Sequence, residues 1–431
     1  MSNNHNSRLA LFGGEPIHKG TWPKWPVPTE STMRMLQEVC NSGRWAISGA
    51  FTGATCFEKR FSQAFAQYHN VPYAVPTVNG SAALTIAMEA LGIGAGDEVI
   101  VPGLTWVAVP SAVAKIGAVP IIVDVEPDTL CISKEAVKKA MTDRTKGILV
   151  VHAYCSCADI DGFLQLSKET GIPLIEDCSQ ANGAEWNGQK VGTFGVIGTF
   201  SMQQTKVLTC GEGGVNITRS PELYDRMQQL RADGRRYIQN PVVGQLELEE
   251  VGSVHGHNYC LSEFHAAVAL SQLELLEQQT ELRARNASFL SEKLNQIPGI
   301  STISAPPKVT RRSYYDYAVR LDPKIVGLFS ASKVVEALTA ELNVFVEMLD
   351  TPLNNHPLYD PLKSARLART PEVCQQYDPK RFDLPVATQA HRNCVAFLHH
   401  ALLGSKEDMM AIVAAFEKIV ANIEHLNEPP K

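Results

Sequence analysis

No stretch of this 431-residue chain is apolar and long enough to span a bilayer, and its best apolar runs have the length of a strand. The chain also lacks long runs of one charge sign, and its net charge of −6 is mild. Because nucleic acids and anionic membranes are bound through basic patches, we expect neither as a partner. With 45% hydrophobic and 19% charged residues, the chain has the balance of a globular protein, and its length predicts more than one domain.

Paired cysteine motifs of the CxxC type are missing too, although the chain has ten cysteines. Cys155 and Cys157 form a CxC pair without suitable partners, so we expect no metal site. The segment from Met1 to Arg8 is polar and lacks the apolar core of a signal peptide. We therefore expect reduced cysteines and a cytoplasmic location.

Four regions are expected along the chain. Residues 1–30 are rich in glycine, proline and tryptophan, which predicts an irregular N-terminal arm. Residues 31–260 alternate short apolar runs with amphipathic stretches, which predicts a large α/β domain with a mainly parallel sheet. Residues 261–295 predict one long helix that links this domain to a smaller C-terminal α/β domain, residues 296–431.

Strands of the large domain are expected where apolar runs of four to six residues occur. These runs are residues 73–76, 98–101, 120–123, 147–152, 173–176, 196–201 and 214–218. In a sheet of this kind ligands sit at the strand ends, where loops meet the first turns of helices. Polar residues that directly follow these runs are therefore the candidates for function.

Three positions after such strands have residue types suited to binding a cofactor or to catalysis. Gly80 and Ser81 begin a helix, where free backbone N–H groups suit an anion, although a serine there is also typical of a plain helix cap. Asp177 directly follows a strand, where a carboxylate can keep a pyridine nitrogen protonated or can simply cap a loop. Lys206 lies in a mostly uncharged segment, where desolvation would lower its pKa and free its amine to bond an aldehyde. A single lysine is nevertheless most often a surface residue.

The order and spacing of these signals are more specific than any one of them. An anion-binding helix start, then Asp177, then Lys206 29 residues later is the arrangement of pyridoxal-phosphate (PLP) enzymes with this kind of sheet. Ser201 offers a further hydroxyl for the phosphate. Trp106 follows the strand 98–101 and can stack on the pyridine ring or pack in the core.

Segments spread over most of the chain carry a family resemblance. They are VNGSAAL, DEVIVPGLTWVA, VDVEPDT, VVHAY, IEDCSQANGA, GTFSMQQTK, GEGG and GHNYCLSEFHAA. The chain resembles the DegT/DnrJ/EryC1/StrS aminotransferases, which implies the aspartate-aminotransferase-like fold (PLP fold type I). Within that family, RWAISG, QQLRADGR and NYCLSEF resemble segments of enzymes that aminate scyllo-inosose and 2-deoxy-scyllo-inosose with L-glutamine.

The resemblance implies the cofactor contacts. Lys206 would hold PLP covalently, and Asp177 would pair with the pyridine nitrogen. The other implied contacts are Gln180 near the phenolic oxygen, Trp106 on the ring face, and Gly80, Ser81 and Ser201 at the phosphate. Asn258 in the segment GHN would reach the phosphate of the neighbouring subunit, which implies a homodimer with shared active sites.

The implied substrates are an amino acid donor, L-glutamine, and a cyclitol ketone, in aminocyclitol antibiotic biosynthesis. Two alternatives stay open: an aminotransferase for a nucleotide-linked keto sugar, and a PLP-binding regulatory protein without turnover. Lys206 argues against the sugar dehydratases of this fold, which carry a histidine in its place.

Two segments depart from the family pattern. The chain has His152-Ala153-Tyr154-Cys155 where the family commonly has His-Leu-Tyr-Gly, and residues 350–356 only loosely resemble the family's substrate-facing segment. Contacts to the substrate are therefore weakly indicated, and each candidate fits a packing or surface role equally well. The candidates are Arg44, Trp45, Tyr314, Tyr315 and His356.

Overall fold

The structure is a computed structural model that describes residues 8–326 and 331–427. Along these residues the strands are β1 (Tyr73–Thr77), β2 (Glu98–Pro102), β3 (Val119–Val123), β4 (Thr145–Val151), β5 (Leu174–Asp177), β6 (Glu185–Trp186), β7 (Gln189–Lys190), β8 (Ile197–Ser201), β9 (Gly214–Thr218), β10 (Arg235–Tyr237), β11 (Leu248–Glu250), β12 (Ile300–Thr302), β13 (Val309–Arg311), β14 (Asp316–Leu321), β15 (Val346–Met348) and β16 (Cys394–Leu398).

The α-helices lie before, between and after these strands. They are α1 (Glu30–Ser42), α2 (Phe57–Tyr68), α3 (Gly80–Ala90), α4 (Ala108–Lys115), α5 (Lys134–Ala140), α6 (Ile160–Thr170), α7 (Pro221–Arg231), α8 (Glu263–Leu294), α9 (Pro323–Val326), α10 (Ala331–Leu342), α11 (Pro371–Tyr377), α12 (Pro385–Asn393) and α13 (Lys406–Ala421). None of the helices in the described ranges is both long and apolar enough to cross a membrane.

The large sheet has the strand order β1-β9-β8-β5-β4-β2-β3 within the described chain. Strands β3, β2, β4, β5 and β8 pair in parallel, whereas β9 is antiparallel to both of its neighbours. β2, β3 and β8 are buried along their whole length, as strands must be when helices cover both faces of a sheet. The predicted mainly parallel sheet is confirmed.

A second, smaller sheet follows the long helix α8. Its order is β12-β14-β16-β15, and all of its neighbouring strands are antiparallel. Helices α10 and α13 contact each other, and α10 also contacts β15 and β16. Helix α8 contacts α1 and α2 on the side of the large sheet and α13 on the side of the small one. The predicted smaller C-terminal α/β part is confirmed.

The described part of the N-terminal arm is tied to the C-terminal part of the chain. Glu341 at the end of α10 accepts the backbone N–H groups of Ala10 at 2.8 Å and Ile17 at 3.2 Å. The same carboxylate pairs with the buried Lys418 of α13 at 2.8 Å, so it is neutralised inside the protein. The Trp22 indole N–H donates to the carbonyl of Leu342 at 2.7 Å. The described part of the arm is thus fixed to the C-terminal part of the chain.

A buried carboxylate on β5 holds the chain that enters β8. Glu176 accepts hydrogen bonds from His152 at 3.1 Å and from the backbone N–H groups of Gly192, Phe194 and Gly195 at 2.7–2.8 Å. Burial alone would raise the pKa of Glu176, but the bonds from His152 and the backbone hold it below its usual range. The turn before β8 is therefore fastened to the strand that ends in Asp177.

We expect Glu176→Gln to lower the free energy of unfolding by about 2–4 kcal/mol, because an amide donor replaces an acceptor among buried N–H groups. Urea unfolding followed by circular dichroism measures the change. Glu417→Gln, an exposed position on α13, is the matched control and should change stability by less than about 0.5 kcal/mol. Equal unfolding curves for the two variants would contradict the anchoring role of Glu176.

Candidate active site

A cavity of about 440 Å³ lies between the two sheets. One wall is formed by residues that follow the carboxyl ends of β1, β2, β5 and β8. The opposite wall comes from β14, β15 and the residues next to them. Ligands of open α/β sheets bind at the carboxyl ends of the strands, so the cavity lies where the sheet topology predicts it.

The first turn of α3 forms one end of the cavity. The Asn79 side chain accepts the backbone N–H of Ala82 at 2.8 Å, so Asn79 is the helix cap. The alternative role of Ser81 as a plain cap is wrong, and Ser81 lines the cavity instead. A Cβ on Gly80 would lie 2.8 Å from Cβ of Ser201, so only glycine fits this approach. Free N–H groups, the helix dipole and two hydroxyls suit a phosphate here.

Asp177 lines the cavity as the last residue of β5. It is buried, and one of its oxygens accepts the backbone N–H of Ser179 at 2.9 Å. Burial raises the pKa of the Asp177 carboxyl, while the bond from Ser179 and the charge of Lys206 act in the opposite direction. A buried carboxylate of this kind gains by pairing with a cation, such as a protonated pyridine nitrogen.

Lys206 faces Asp177 from the segment after β8. Burial lowers the pKa of its amine, and the carboxylates of Asp316, Asp177, Asp350 and Glu347 oppose this shift. The amine lies 3.7 Å from the ring centroid of Tyr315, whose hydroxyl is 3.0 Å from Oγ1 of Thr205. Burial therefore makes the neutral, nucleophilic form of this lysine more accessible than it is for a lysine in water.

The backbone before Lys206 is held from outside the cavity. The indole N–H of Trp25 donates to the carbonyl of Gln204 at 3.0 Å. Nε2 of the buried His399 donates to the carbonyl of Thr205 at 2.9 Å. The rings of Trp25 and His399 meet edge to face, 4.5 Å apart. The N-terminal arm and the small domain thus both fix the segment that carries the lysine.

These groups fit one kind of cofactor. A phosphate suits the first turn of α3, a pyridine nitrogen suits Asp177, and an aldehyde suits the amine of Lys206. PLP carries all three functions on one small ring. The fold and the site therefore define an enzyme of the PLP-dependent class.

Comparison with known proteins assigns the family. The sequence profile of the DegT/DnrJ/EryC1/StrS aminotransferase family matches residues 27–416. The chain is 48% identical to an L-glutamine:2-deoxy-scyllo-inosose aminotransferase of Streptomyces kanamyceticus, over 96% of this chain and 97% of that one. It is 45% identical to an L-glutamine:scyllo-inosose aminotransferase of Streptomyces griseus, over 98% of this chain and 100% of that one. This chain belongs to the DegT/DnrJ/EryC1/StrS aminotransferase family.

A solved structure supports the same assignment. The crystal structure of 3-amino-5-hydroxybenzoic acid synthase matches with a TM-score of 0.78 and 27% identity, over 93% of this chain and 99% of that one. The predicted PLP-dependent aminotransferase and its aspartate-aminotransferase-like fold are confirmed. The alternative of a regulatory protein without turnover has no support from these relatives.

The structure brings most of the predicted cofactor contacts to this cavity. The lining residues among them are Gly80, Ser81, Trp106, Asp177, Gln180, Ser201 and Lys206. Oε1 of Gln180 accepts the backbone N–H of Tyr154 at 3.4 Å, which orients its amide. Asn258 does not line the cavity. It is exposed, and its backbone forms an isolated β-bridge with Ala232.

Of the weak substrate candidates, only Tyr315 lines the cavity. Arg44 is buried in an ion pair with Glu247 and lies outside the lining of this subunit's cavity, so its contact with the substrate stays a prediction. Trp45 lies edge-on to Phe264, with ring centroids 5.5 Å apart, and is exposed outside the cavity. The other two candidates also lie outside its lining: Tyr314 is buried against Tyr317, and His356 is buried beside Trp106.

The sequence prediction missed four carboxyl groups of the cavity, one of which is Glu212, in the glycine-rich turn after Lys206. Asp316, Glu347 and Asp350 all line it, and the Tyr154 hydroxyl donates to Asp350 at 2.8 Å. One signal was visible, because Asp316 is a charged residue at the start of an otherwise apolar strand-like run. Glu347 lies in the short strand β15 and Asp350 follows it, and the place of β15 beside β16 cannot be read from local pattern.

The departure at Cys155 has a structural counterpart. Tyr154 and Cys155 both have left-handed backbone, with φ values of 51° and 55°, so the chain keeps a conformation that favours glycine. The guanidinium of Arg312 donates to the carbonyl of Cys155 and lies 3.2 Å from its sulfur, which supports this turn. The Tyr154 side chain is thereby held facing the cavity.

A cluster that the sequence did not indicate lies behind Asp177. Potential ligand atoms of His152, Glu176 and Cys178 come within 4.8 Å of one another. The Glu176 oxygens already accept the hydrogen bonds that fasten the turn before β8. Burial raises the pKa of the Cys178 thiol well above its usual range, which keeps it protonated and a poor metal ligand. We assign the cluster a structural role.

We expect Gly80→Ala to weaken PLP binding by about tenfold or more, because the new methyl group must push the start of α3 away from Ser201. Equilibrium dialysis of the cofactor against the purified variant measures the change. Gly94→Ala is the matched control, since nothing lies within 4 Å of its added methyl group. Unchanged PLP affinity in Gly80→Ala would contradict the assignment of the phosphate to this end of the cavity.

Proposed function

We propose that this enzyme transfers the amino group of L-glutamine to a cyclitol ketone such as scyllo-inosose or 2-deoxy-scyllo-inosose, in aminocyclitol (aminoglycoside antibiotic) biosynthesis. The observation that carries the proposal is the 45–48% identity, over at least 96% of the chain, to aminotransferases with these names. All ten cysteines are free thiols, which fits the reducing cytoplasm where we place the reaction.

The residues of the cavity have separate roles in binding the cofactor and transferring protons. PLP, when bound, supplies an electron sink that makes the donor's α proton acidic. We assign Lys206 the covalent hold on PLP and Asp177 the pairing with its ring nitrogen. Nζ of the freed Lys206 takes up the proton from the donor's α carbon and later gives a proton to the ketone carbon that receives the amino group. The lowered pKa of Lys206 favours the first of these transfers.

The remaining contacts orient the cofactor. The first turn of α3 and the hydroxyls of Ser81 and Ser201 would bind the phosphate, and Gly80 allows the close approach of α3 to Ser201. The Trp106 indole would cover one face of the ring, and Gln180 would lie near the phenolic oxygen. Each of these assignments is supported by the position of the residue in the cavity lining.

A nucleotide-linked keto sugar is the weaker alternative substrate. Such a ketone carries a diphosphate, which binds to clusters of arginine and lysine. Among the described residues that line the cavity, Lys206 is the only basic one, whereas five are acidic. The charge of this subunit's wall therefore favours a ketone without phosphate.

Activity assays test the proposal directly. The purified enzyme should aminate scyllo-inosose or 2-deoxy-scyllo-inosose with L-glutamine faster than with glutamate or alanine, and should show parallel double-reciprocal lines. A nucleotide-linked 4-keto sugar is the competing substrate in the same assay. Preference for the nucleotide-linked ketone would overturn the proposed substrate class.

We expect Lys206→Ala to lose covalent attachment of PLP. After borohydride reduction and denaturation, the wild-type chain should retain the cofactor and the variant should not, and amination should fall at least about a thousandfold. The exposed Lys168 on α6 provides the control variant Lys168→Ala, which should behave like the wild type. Cofactor that stays on the reduced Lys206→Ala chain would refute the role of this amine.

We also propose a homodimer in which Asn258 completes the partner's phosphate site. Its exposure, and its position outside the cavity of its own subunit, support this arrangement. In a dimer with two-fold symmetry, each site would then combine Lys206 of one subunit with Asn258 of the other.

Mixed dimers test the sharing of sites. Lys206→Ala and Asn258→Ala homodimers should each be impaired, but a heterodimer of the two variants contains one fully wild-type site. Random reassociation of equal amounts should therefore restore about a quarter of wild-type activity per protein. No gain over the separate variants, with heterodimers present by native mass spectrometry, would show that Asn258 does not act across the interface.

A further inference from the structure

The small sheet presents carboxyl groups to the cavity from one of its faces. Asp316 of β14 lies opposite Leu398 of β16, and Glu347 of β15 lies opposite Ala396. Because opposed residues share a face and a strand alternates with a period of two, Asp316, Ala396 and Glu347 all lie on the same side. Ala396 lines the cavity between them, and its small side chain leaves the space in front of the two carboxyl groups open.

A third carboxyl group extends this surface. Asp350 follows β15, lines the cavity, and is fixed by the hydroxyl of Tyr154 at 2.8 Å. Burial and the charge of Asp350 hold the pKa of Tyr154 well above its usual range, so its hydroxyl stays a donor. We call Asp316, Glu347 and Asp350 the acidic wall.

Part of the acidic wall is buried without a partner. Asp316 is only 6% exposed, and its Oδ1 has no hydrogen-bond partner among the described residues. None of the three carboxyl groups forms an ion pair within the described part of the chain. Burial and the charge of Glu347 raise the pKa of Asp316 well above its usual range. A buried polar group of this kind costs free energy until a ligand satisfies it.

The chemistry of the acidic wall indicates its ligand. Carboxylate oxygens accept hydrogen bonds, so they match the O–H groups of a polyol and repel phosphate and carboxylate groups. A site built to hydrogen-bond a substrate hydroxyl also rejects analogues that lack it, because its polar groups are then left unpaired. A ring that carries hydroxyl groups around its ketone presents several donors at once.

We propose that the acidic wall determines the specificity of the enzyme by binding the ring hydroxyls of an uncharged polyol ketone and excluding phosphorylated ketones. The proposal rests on the proposed function, since it names the groups that recognise the amino acceptor. The three carboxyl groups act on the ketone and not on the amino donor, whose carboxylate they repel.

Binding of an unreactive polyol tests the acidic wall without turnover. Calorimetry of the PLP-loaded enzyme with scyllo-inositol is run at pH 8.5, because burial and Asp350 raise the pKa of Glu347 to about 7. Glu347→Gln, Asp350→Asn and Asp316→Ala should each raise the Kd about tenfold or more. Glu407→Gln, an exposed carboxylate at the start of α13, is the control and should leave the Kd unchanged.

Separate half-reactions show whether the effect is confined to the ketone. Stopped-flow absorbance of the cofactor follows glutamine and scyllo-inosose independently. In the three variants the rate constant with the ketone should fall about tenfold or more, while that with glutamine stays within about threefold of wild type or rises. An equal loss in both half-reactions, or an unchanged Kd for scyllo-inositol, would overturn the proposal.

Two further measurements keep the result interpretable. Tyr154→Phe removes the donor that fixes Asp350 without changing any charge, and should weaken scyllo-inositol binding in the same direction as Asp350→Asn. One of the three carboxyl groups should face the C2 hydroxyl of the ketone. In the variant that lacks this group, the loss in rate constant relative to wild type should be about tenfold smaller with 2-deoxy-scyllo-inosose than with scyllo-inosose. Equal penalties with both ketones in all three variants would contradict direct recognition of that hydroxyl.

The wild-type arm separates the two proposals. Wild-type enzyme that binds scyllo-inositol but does not aminate either ring ketone would refute the proposed function and leave the recognition of polyols intact. A second outcome would refute only the role of the acidic wall. In that outcome the wild-type enzyme aminates the ring ketones, and the three variants prefer hydroxylated over phosphorylated ketones to the same degree as the wild type.

Discussion

Lys206 is the single basic side chain among the described residues of a cavity lining that contains five acidic ones, and its protonation depends on two opposed effects. Burial favours the neutral amine, whereas the carboxylates of Asp316, Asp177, Asp350 and Glu347 favour the charged one. The pKa of Asp177 depends in turn on the charge of Lys206. Because these groups influence one another at short range in a poorly solvated site, small displacements change their protonation. The chemistry therefore requires that each group be held firmly.

The fold provides that hold from several directions. Asp177 is the last residue of a central parallel strand. The residue before it, Glu176, accepts the hydrogen bonds that fasten the turn before β8. The segment before Lys206 is bound by Trp25 from the N-terminal arm and by His399 from the small domain. The arm is itself tied to Glu341 in the C-terminal part of the chain. The position of the amine consequently depends on the docking of both domains, although Asp177 belongs to the large sheet alone.

The sequence predicted the parts of the site that depend on local pattern. The strands of the large sheet show as short, mainly apolar runs, so Asp177 could be placed at the end of one strand and Lys206 in the segment after another. Helix α2 escaped prediction although its apolar residues have helical spacing, and β15 is too short to show a periodic pattern. The buried ion pair of Arg44 with Glu247 could not be predicted, because Glu247 is 203 residues away and no local pattern indicates such a pair. The acidic wall was missed for the same reason, since the order β14-β16-β15 brings distant segments together.

The two sheets contribute differently to the cavity, yet their contributions are not independent. The large sheet supplies Asp177, Lys206 and the anion-binding start of α3, while the small sheet supplies the carboxyl groups opposite them. Those carboxylates raise the pKa of Lys206 against the effect of burial. A change of the small sheet that admits a phosphorylated ketone, by replacing a carboxylate with a neutral or basic residue, must also lower the pKa of Lys206. Recognition of the ketone and activation of the lysine are thus coupled through charge, so a new specificity requires a compensating change near the amine.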